Sequence, residues 1–281
     1  MRDTGLAILM CCAALMPAPV TAQVLSHAPD GRPLVLTFAD EFQSFRPLGA
    51  PGGVWRTTFG PGDEKGLDRR TLPDNGELEL YVDARLADAS GPIGIDPFRA
   101  HDGVIDILAS PTPPQLKARL GGHPYVSGVI TSQPSFSQTY GYFEMRAKLP
   151  SGKGLWPAFW LLPQDQSWPP EIDVLEAVGD GGDIHSTVHS TLKPTAVDVE
   201  THVARGAFHT FAVAWDRNRV AWYIDGRKTG EQQTPADLNK PMYVLANLAV
   251  GGDWPGAPDA TTVFPATLSI DFIHAYQFSR N

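Results

Sequence analysis

A chain of 281 residues can hold one sizeable domain or two small ones, and 42% hydrophobic with only 19% charged residues excludes a disordered polymer. The net charge of −9 supplies no basic face for phosphates, which excludes a nucleic-acid partner and favours a neutral or sparsely charged one. The 27 glycines and 26 prolines are scattered as turn punctuation, which favours many short strands.

Residues 1–22 combine Arg2, an apolar run from Leu6 to Met16 and a small-residue exit at Val20-Thr21-Ala22, the pattern of a secretory signal cleaved before Gln23. Both cysteines, Cys11 and Cys12, fall inside it, so the chain from Gln23 onward has no disulfide to rely on. A lipoprotein signal at Cys11 is the competing reading, weakened by the bulky Met10 before it. No other stretch approaches about 18 apolar residues. The expectation is a secreted or periplasmic monomer, free of the membrane after cleavage, with one domain over residues 23–281.

Leu34 to Phe38 reads as a first strand, and Glu77 to Val82, after the Asn75-Gly76 turn, alternates acids with apolar residues as a strand with one wet face. From Ala84 to Tyr125 prolines break the pattern, and only Val104 to Leu108 reads as a strand among long surface loops. Tyr140 to Leu149 is the clearest strand, followed by Leu155 to Leu162, the acidic run Glu171 to Glu176, and Ile184 to Thr191. Phe208 to Trp215 and Arg219 to Ile224 suit a hairpin, with Asp225-Gly226 as a turn on its far side. Met242 to Val250 and Leu268 to Phe278 complete the set, with a single helical turn over Thr234 to Leu238. About a dozen strands without alternating helices predict a two-layer antiparallel sandwich, one face of which is free to form a cleft.

Glu171-Ile172-Asp173-Val174-Leu175-Glu176 carries three carboxylates in six residues. On a regular strand Glu171 and Asp173 share a face, while Glu176 turns into the core. One extra residue at Val174-Leu175, a β-bulge, returns Glu176 to the same side. Two carboxylates on one face of a cleft are what glycoside hydrolysis needs, one to attack the anomeric carbon and one to protonate the departing oxygen. Acids on a strand are otherwise its solvated face. Trp156, Ala158 and Trp160 share a face of the preceding strand, where indoles either stack on sugar rings or pack the core. His185, Thr187 and His189 share a face of the next strand, and their extended spacing, with no third ligand in view, argues against a metal there.

Gly154 to Trp160 (GLWPAFW), Glu171 to Glu176 (EIDVLE), Thr187-Val188-His189 and Asn247 to Gly256 (NLAVGGDWPG) together resemble glycoside hydrolase family 16 over Phe38 to Tyr276. Within it, Pro92 to Phe98, Asp102-Gly103, Tyr125 to Gly128 and Trp168-Pro169-Pro170 resemble the bacterial exopolysaccharide glycanases that cut succinoglycan, with laminarinases and lichenases next. The resemblance implies an all-β jelly-roll sandwich with a groove on its concave sheet, and retaining hydrolysis of internal β-glycosidic bonds in a glucose-rich polysaccharide. It makes Glu171 the nucleophile, Glu176 the general acid and then base, and Asp173 the helper between them. It sets Asn75, Trp156, Trp160, His189 and Trp254 along the groove. No cofactor is implied for the reaction, but a structural calcium through the late-strand Asp271 is. Trp55, Trp215 and Trp222 read as core. Transglycosylation and sugar binding without hydrolysis are the alternatives; the retained carboxylates weigh against the latter.

Overall fold

The computed structural model describes residues 23–60 and 66–279; the signal reading falls on residues outside them. In chain order its strands begin with β1 (Leu34–Asp40), β2 (Glu79–Tyr81), β3 (Ala87–Asp88), β4 (Gly91–Pro92), β5 (Phe98–His101) and β6 (Val104–Pro111). They continue with β7 (Tyr125–Ser127), β8 (Val129–Thr131), β9 (Gly141–Lys148), β10 (Leu155–Pro163), β11 (Glu171–Glu176) and β12 (Asp183–Ser190). The last are β13 (Lys193–His202), β14 (Phe208–Trp215), β15 (Arg219–Ile224), β16 (Arg227–Gln233), β17 (Met242–Val250) and β18 (Ala266–Phe278). Among the described residues, helix is confined to three short 3-10 turns at Pro73–Asn75, Pro114–Leu116 and Ala236–Leu238. No helix among the described residues is long and apolar enough to cross a membrane.

Two sheets form a jelly-roll sandwich. One runs β13-β12-β11-β10-β17-β8, and the other β16-β15-β14-β9-β18-β6-β7-β2, with β1 on β18 and β5 on β6. Alternation explains the packing between them. Phe143, Met145 and Ala147 of β9 face Phe159 and Leu161 of β10, Ile172 of β11, and Val244, Ala246 and Leu248 of β17 in one buried cluster. Trp55, Trp215 and Trp222 are buried there, as the sequence predicts. The six-stranded sheet therefore spends one residue in two on the core and is free to spend the others on a groove.

Several local expectations change. Glu79, Leu80 and Tyr81 are all fully buried, so β2 has no wet face. It pairs in parallel with β7, and Glu79 accepts a hydrogen bond from the Val250 amide at 2.7 Å, an inward role that alternation cannot distinguish from exposure. The stretch from Ala84 to Tyr125 holds β3, β4 and β5, and covers a satellite core of Leu80, Val82, Leu86, Ile93, Leu120 and Val126 instead of being loop alone. The hairpin of β14 and β15 turns at residues 216–218, and Asp225-Gly226 leads on to β16, a strand the sequence did not announce. Nor did it announce β13.

Candidate active site

The expected bulge is present. Ala158 of β10 is the register partner of Glu176, Phe159 of Leu175, and Trp160 of Asp173, which leaves Val174 as the extra residue. On the other side Asp173 faces Thr187 and Glu176 faces His185, two residues of β11 against one of β12. Val174 and Leu175 both point into the core, the consequence of two successive residues sharing a face. A bulge frees backbone carbonyls that must find donors. The Asp173 carbonyl accepts from Trp222 Nε1 at 2.9 Å, reaching across from the opposite sheet, and the Val174 carbonyl from Ser186 Oγ at 3.0 Å.

Glu171, Asp173 and Glu176 thus line one groove of about 610 Å³, together with Trp156, Trp160, His189, Trp254 and Asn75. All eight residues singled out for catalysis or sugar contact come together. Trp156 Nε1 donates to Glu176 Oε1 at 3.1 Å, and its ring meets Trp254 edge-on at 5.5 Å. Gly252, at φ 123°, lets the turn carrying Trp254 close in, since a Cβ there would stand 3.1 Å from the Asn75 carbonyl and 3.2 Å from the Trp156 ring. Trp160 is nearly buried, and its indole donates to Asn247 Oδ1 at 2.8 Å. Asn247 Nδ2 donates to Tyr81 Oη at 3.0 Å, and Asn75 Nδ2 to Glu77 Oε1 at 3.0 Å, so one wall of the groove is a polar network.

His189 Nε2 stands 3.2 Å from Asp173 Oδ2 and 3.8 Å from Glu171 Oε1. These three side chains offer ligand atoms within 4.8 Å of one another, two of them from β11, and His185 is not among them. Trp168 is the residue whose role the sequence reading missed. It is 66% exposed on the loop before β11, and its Nε1 donates to Glu171 Oε2 at 2.9 Å. Its place directly before the acids was the available signal. Lys240 fixes that loop through Asp165 Oδ2 at 2.9 Å and Ser167 Oγ at 3.0 Å.

Burial raises the proton affinity of all three acids. Glu171 lies well above the ordinary carboxyl range, through desolvation and then the charge of Asp173. Asp173 is raised by desolvation and the charge of Glu176. Glu176 is pushed up to about 7, by desolvation and then Glu171, against the Trp156 hydrogen bond and the charges of His189 and His185. Six carboxylates line the groove, adding Asp74, Glu77 and Asp198, and no Lys or Arg appears among its described lining residues.

Asp271 lies elsewhere, in β18 of the other sheet, and its carboxylate is paired with the Arg146 guanidinium. A calcium site needs several oxygen ligands around the ion. A carboxylate committed to a cation does not fit that need, so the calcium expectation at Asp271 is not supported by its surroundings.

The family model described as glycosyl hydrolases family 16 matches residues 102–272. Among curated proteins the chain is 40% identical over 244 residues to the endo-1,3-1,4-beta-glycanase ExsH of Rhizobium meliloti (strain 1021), covering 85% of this chain and 51% of that one. It is 39% identical over 259 residues to the endo-1,3-1,4-beta-glycanase EglC of the same organism, covering 91% and 54%. The chain therefore spans about half the length of these curated relatives. Among solved structures, the endo-beta-1,3-glucanase from Pyrococcus furiosus superposes with a TM-score of 0.72 at 29% identity, over 93% of this chain and 100% of that one. The laminarinase catalytic domain from Thermotoga maritima MSB8 gives 0.70 at 30% identity, over 88% and 99%.

Proposed function

This chain belongs to glycosyl hydrolase family 16, and from that premise we propose that it is a secreted, retaining endo-β-glycanase cutting internal β-1,3 or β-1,4 bonds of a glucose-rich exopolysaccharide. The observation that carries the reading is the bulge at Val174, which turns Glu176 to the face of Glu171 and Asp173 inside an indole-walled groove. Chance acids on a solvated strand have no use for such a device.

In the first step a Glu171 carboxylate oxygen bonds to the anomeric carbon while the bond to the departing sugar oxygen breaks and Glu176 delivers its proton to that oxygen. In the second, Glu176 takes a proton from water as the water oxygen bonds to the anomeric carbon and the ester to Glu171 breaks. The three acids cannot ionise together at small cost in a buried groove. A proton held on Asp173 leaves Glu171 free to attack, and the Trp168 indole steadies the attacking carboxylate. A proton affinity near neutrality lets Glu176 serve as acid and then as base.

Six carboxylates and no Lys or Arg among the described lining residues favour a neutral backbone in the groove, with acidic substituents left outside it. The names of the similar proteins support mixed β-1,3-1,4 cleavage, and the solved structures keep a β-1,3-glucanase as the second reading. Incubation with laminarin, lichenan and a succinoglycan-type polymer distinguishes them. Fastest release of oligosaccharides from the exopolysaccharide is expected, and Glu171→Gln is expected to lose activity by more than about 10³-fold. Preference for laminarin overturns the exopolysaccharide assignment, and wild-type activity no greater than that of the variant overturns hydrolysis itself.

A further inference from the structure

Double displacement asks Glu176 for two opposite things, a proton in the first step and a vacant carboxylate in the second. Burial opposes the second state, and in the free enzyme the Glu171 charge does so too, until the sugar ester neutralises it. Burial has to be opposed in turn, and the structure offers a group outside the established set.

His185 is the register partner of Glu176 across the ladder of β11 and β12. Opposed residues of an antiparallel pair project to one face, with Cβ atoms about 4.5–5.5 Å apart. The His185 side chain is only 13% exposed, and its Nδ1 lies 2.8 Å from Asp198 Oδ2 on β13. Its ring meets the Trp254 ring edge-on at 4.7 Å, Trp254 meets Trp156 in the same way, and Trp156 donates to Glu176. Asp198, His185, Trp254 and Trp156 thus form a continuous set of contacts ending on the Glu176 carboxyl. The groups facing this corner are Glu171 and Asp173 on the strand of Glu176, His189 further along the strand of His185, and Asp198 with Glu200, the register partner of His185, on the next strand.

Resting on the hydrolase reading above, we propose that His185, held in place by Asp198, is a positioning residue that sets the proton affinity of Glu176, so that one carboxyl serves both steps. When His185 carries a proton, its positive charge stabilises the ionised Glu176 that activates water. The transferred proton passes only between Glu176, the leaving oxygen and water. Asp198 lies in the groove wall, half exposed, and supplies the carboxylate that orients the imidazole. A purely structural His185 would support Trp254 without regard to charge.

The test follows Glu176 directly, by carbon-13 NMR of labelled glutamate carboxyls in the full chain, with the Glu176→Gln spectrum assigning the signal. In His185→Gln the Glu176 midpoint is expected to rise by about half to one pH unit, and in His185→Lys, which keeps a cation, to return to the wild-type value or below. The alkaline limb of kcat/KM is expected to move with it. A midpoint that does not move in His185→Gln, or that moves alike in both variants, overturns the proposal. If His185→Gln does not fold, a His185→Lys midpoint above the wild-type value overturns it. The titration needs no turnover, so a wild type that releases no sugar would fail the hydrolase reading separately.

Discussion

At Glu176 desolvation and the charge of Glu171 act together, and the price is paid in stability as well as gained in chemistry. Its proton is held more tightly in the folded chain than in the unfolded one. The stabilisation this gives is present in full below the ordinary value of 4.5 and is lost as the pH rises through about 7. Glu176→Gln keeps the shape without the charge. Its melting temperature is therefore expected to equal that of the wild type near pH 4 and to exceed it by about 3–6 °C at pH 8, for a difference of about 1–2 kcal/mol. Differential scanning calorimetry across that range checks it, and a gap that is constant with pH contradicts it. Glu79 is likewise raised, through burial and the charge of Glu77, yet the sequence read it as a wet-face acid. Alternation reports spacing, and a buried protonated carboxyl has the same spacing as a solvated one.

On β11 the element is defined by what breaks its regularity. The five steps from Glu171 to Glu176 required a bulge for both to reach one face, and that much was legible from spacing alone. The devices that hold the bulge were not, because Trp222 reaches the Asp173 carbonyl from the other sheet and Ser186 reaches the Val174 carbonyl from β12. Such contacts depend on the packing of distant strands. Trp222→Phe keeps an aromatic, though smaller, ring and removes the donor, leaving a buried carbonyl unpaired at a cost of about 1–3 kcal/mol. Its melting temperature is expected to fall by about 3–8 °C, with kcat reduced at least about fivefold as Asp173 loses its anchor. Unchanged kcat would mean that the bulge holds itself. The edges explain the strands that were missed: β16 reads RKTGEQQ and is largely exposed, and β13 begins Lys193-Pro194 at the border of the other sheet. Polar residues and an edge proline suit a strand with one unpaired side and leave no hydrophobic period to read.

Across the whole molecule the sandwich gives one face of a six-stranded sheet to the core and the other to an acidic groove. Patterning made the layers legible, since strands without helices have few other ways to bury one face. It also brought the acids, both groove tryptophans of β10 and His189 together from three consecutive strands. Contacts between distant segments were harder to read: Trp168 hydrogen-bonds Glu171 from a loop pinned by Lys240, and Asp271 of β18 pairs with Arg146 of β9. In the retaining cleavage proposed above, Glu171 and Glu176 act together as nucleophile and acid/base. Proton NMR of the anomeric signals during early hydrolysis of lichenan or the exopolysaccharide tests it most directly. The β-anomer of the new reducing end is predicted to appear first, with the α-anomer growing in only by mutarotation; an α-anomer formed first would contradict it.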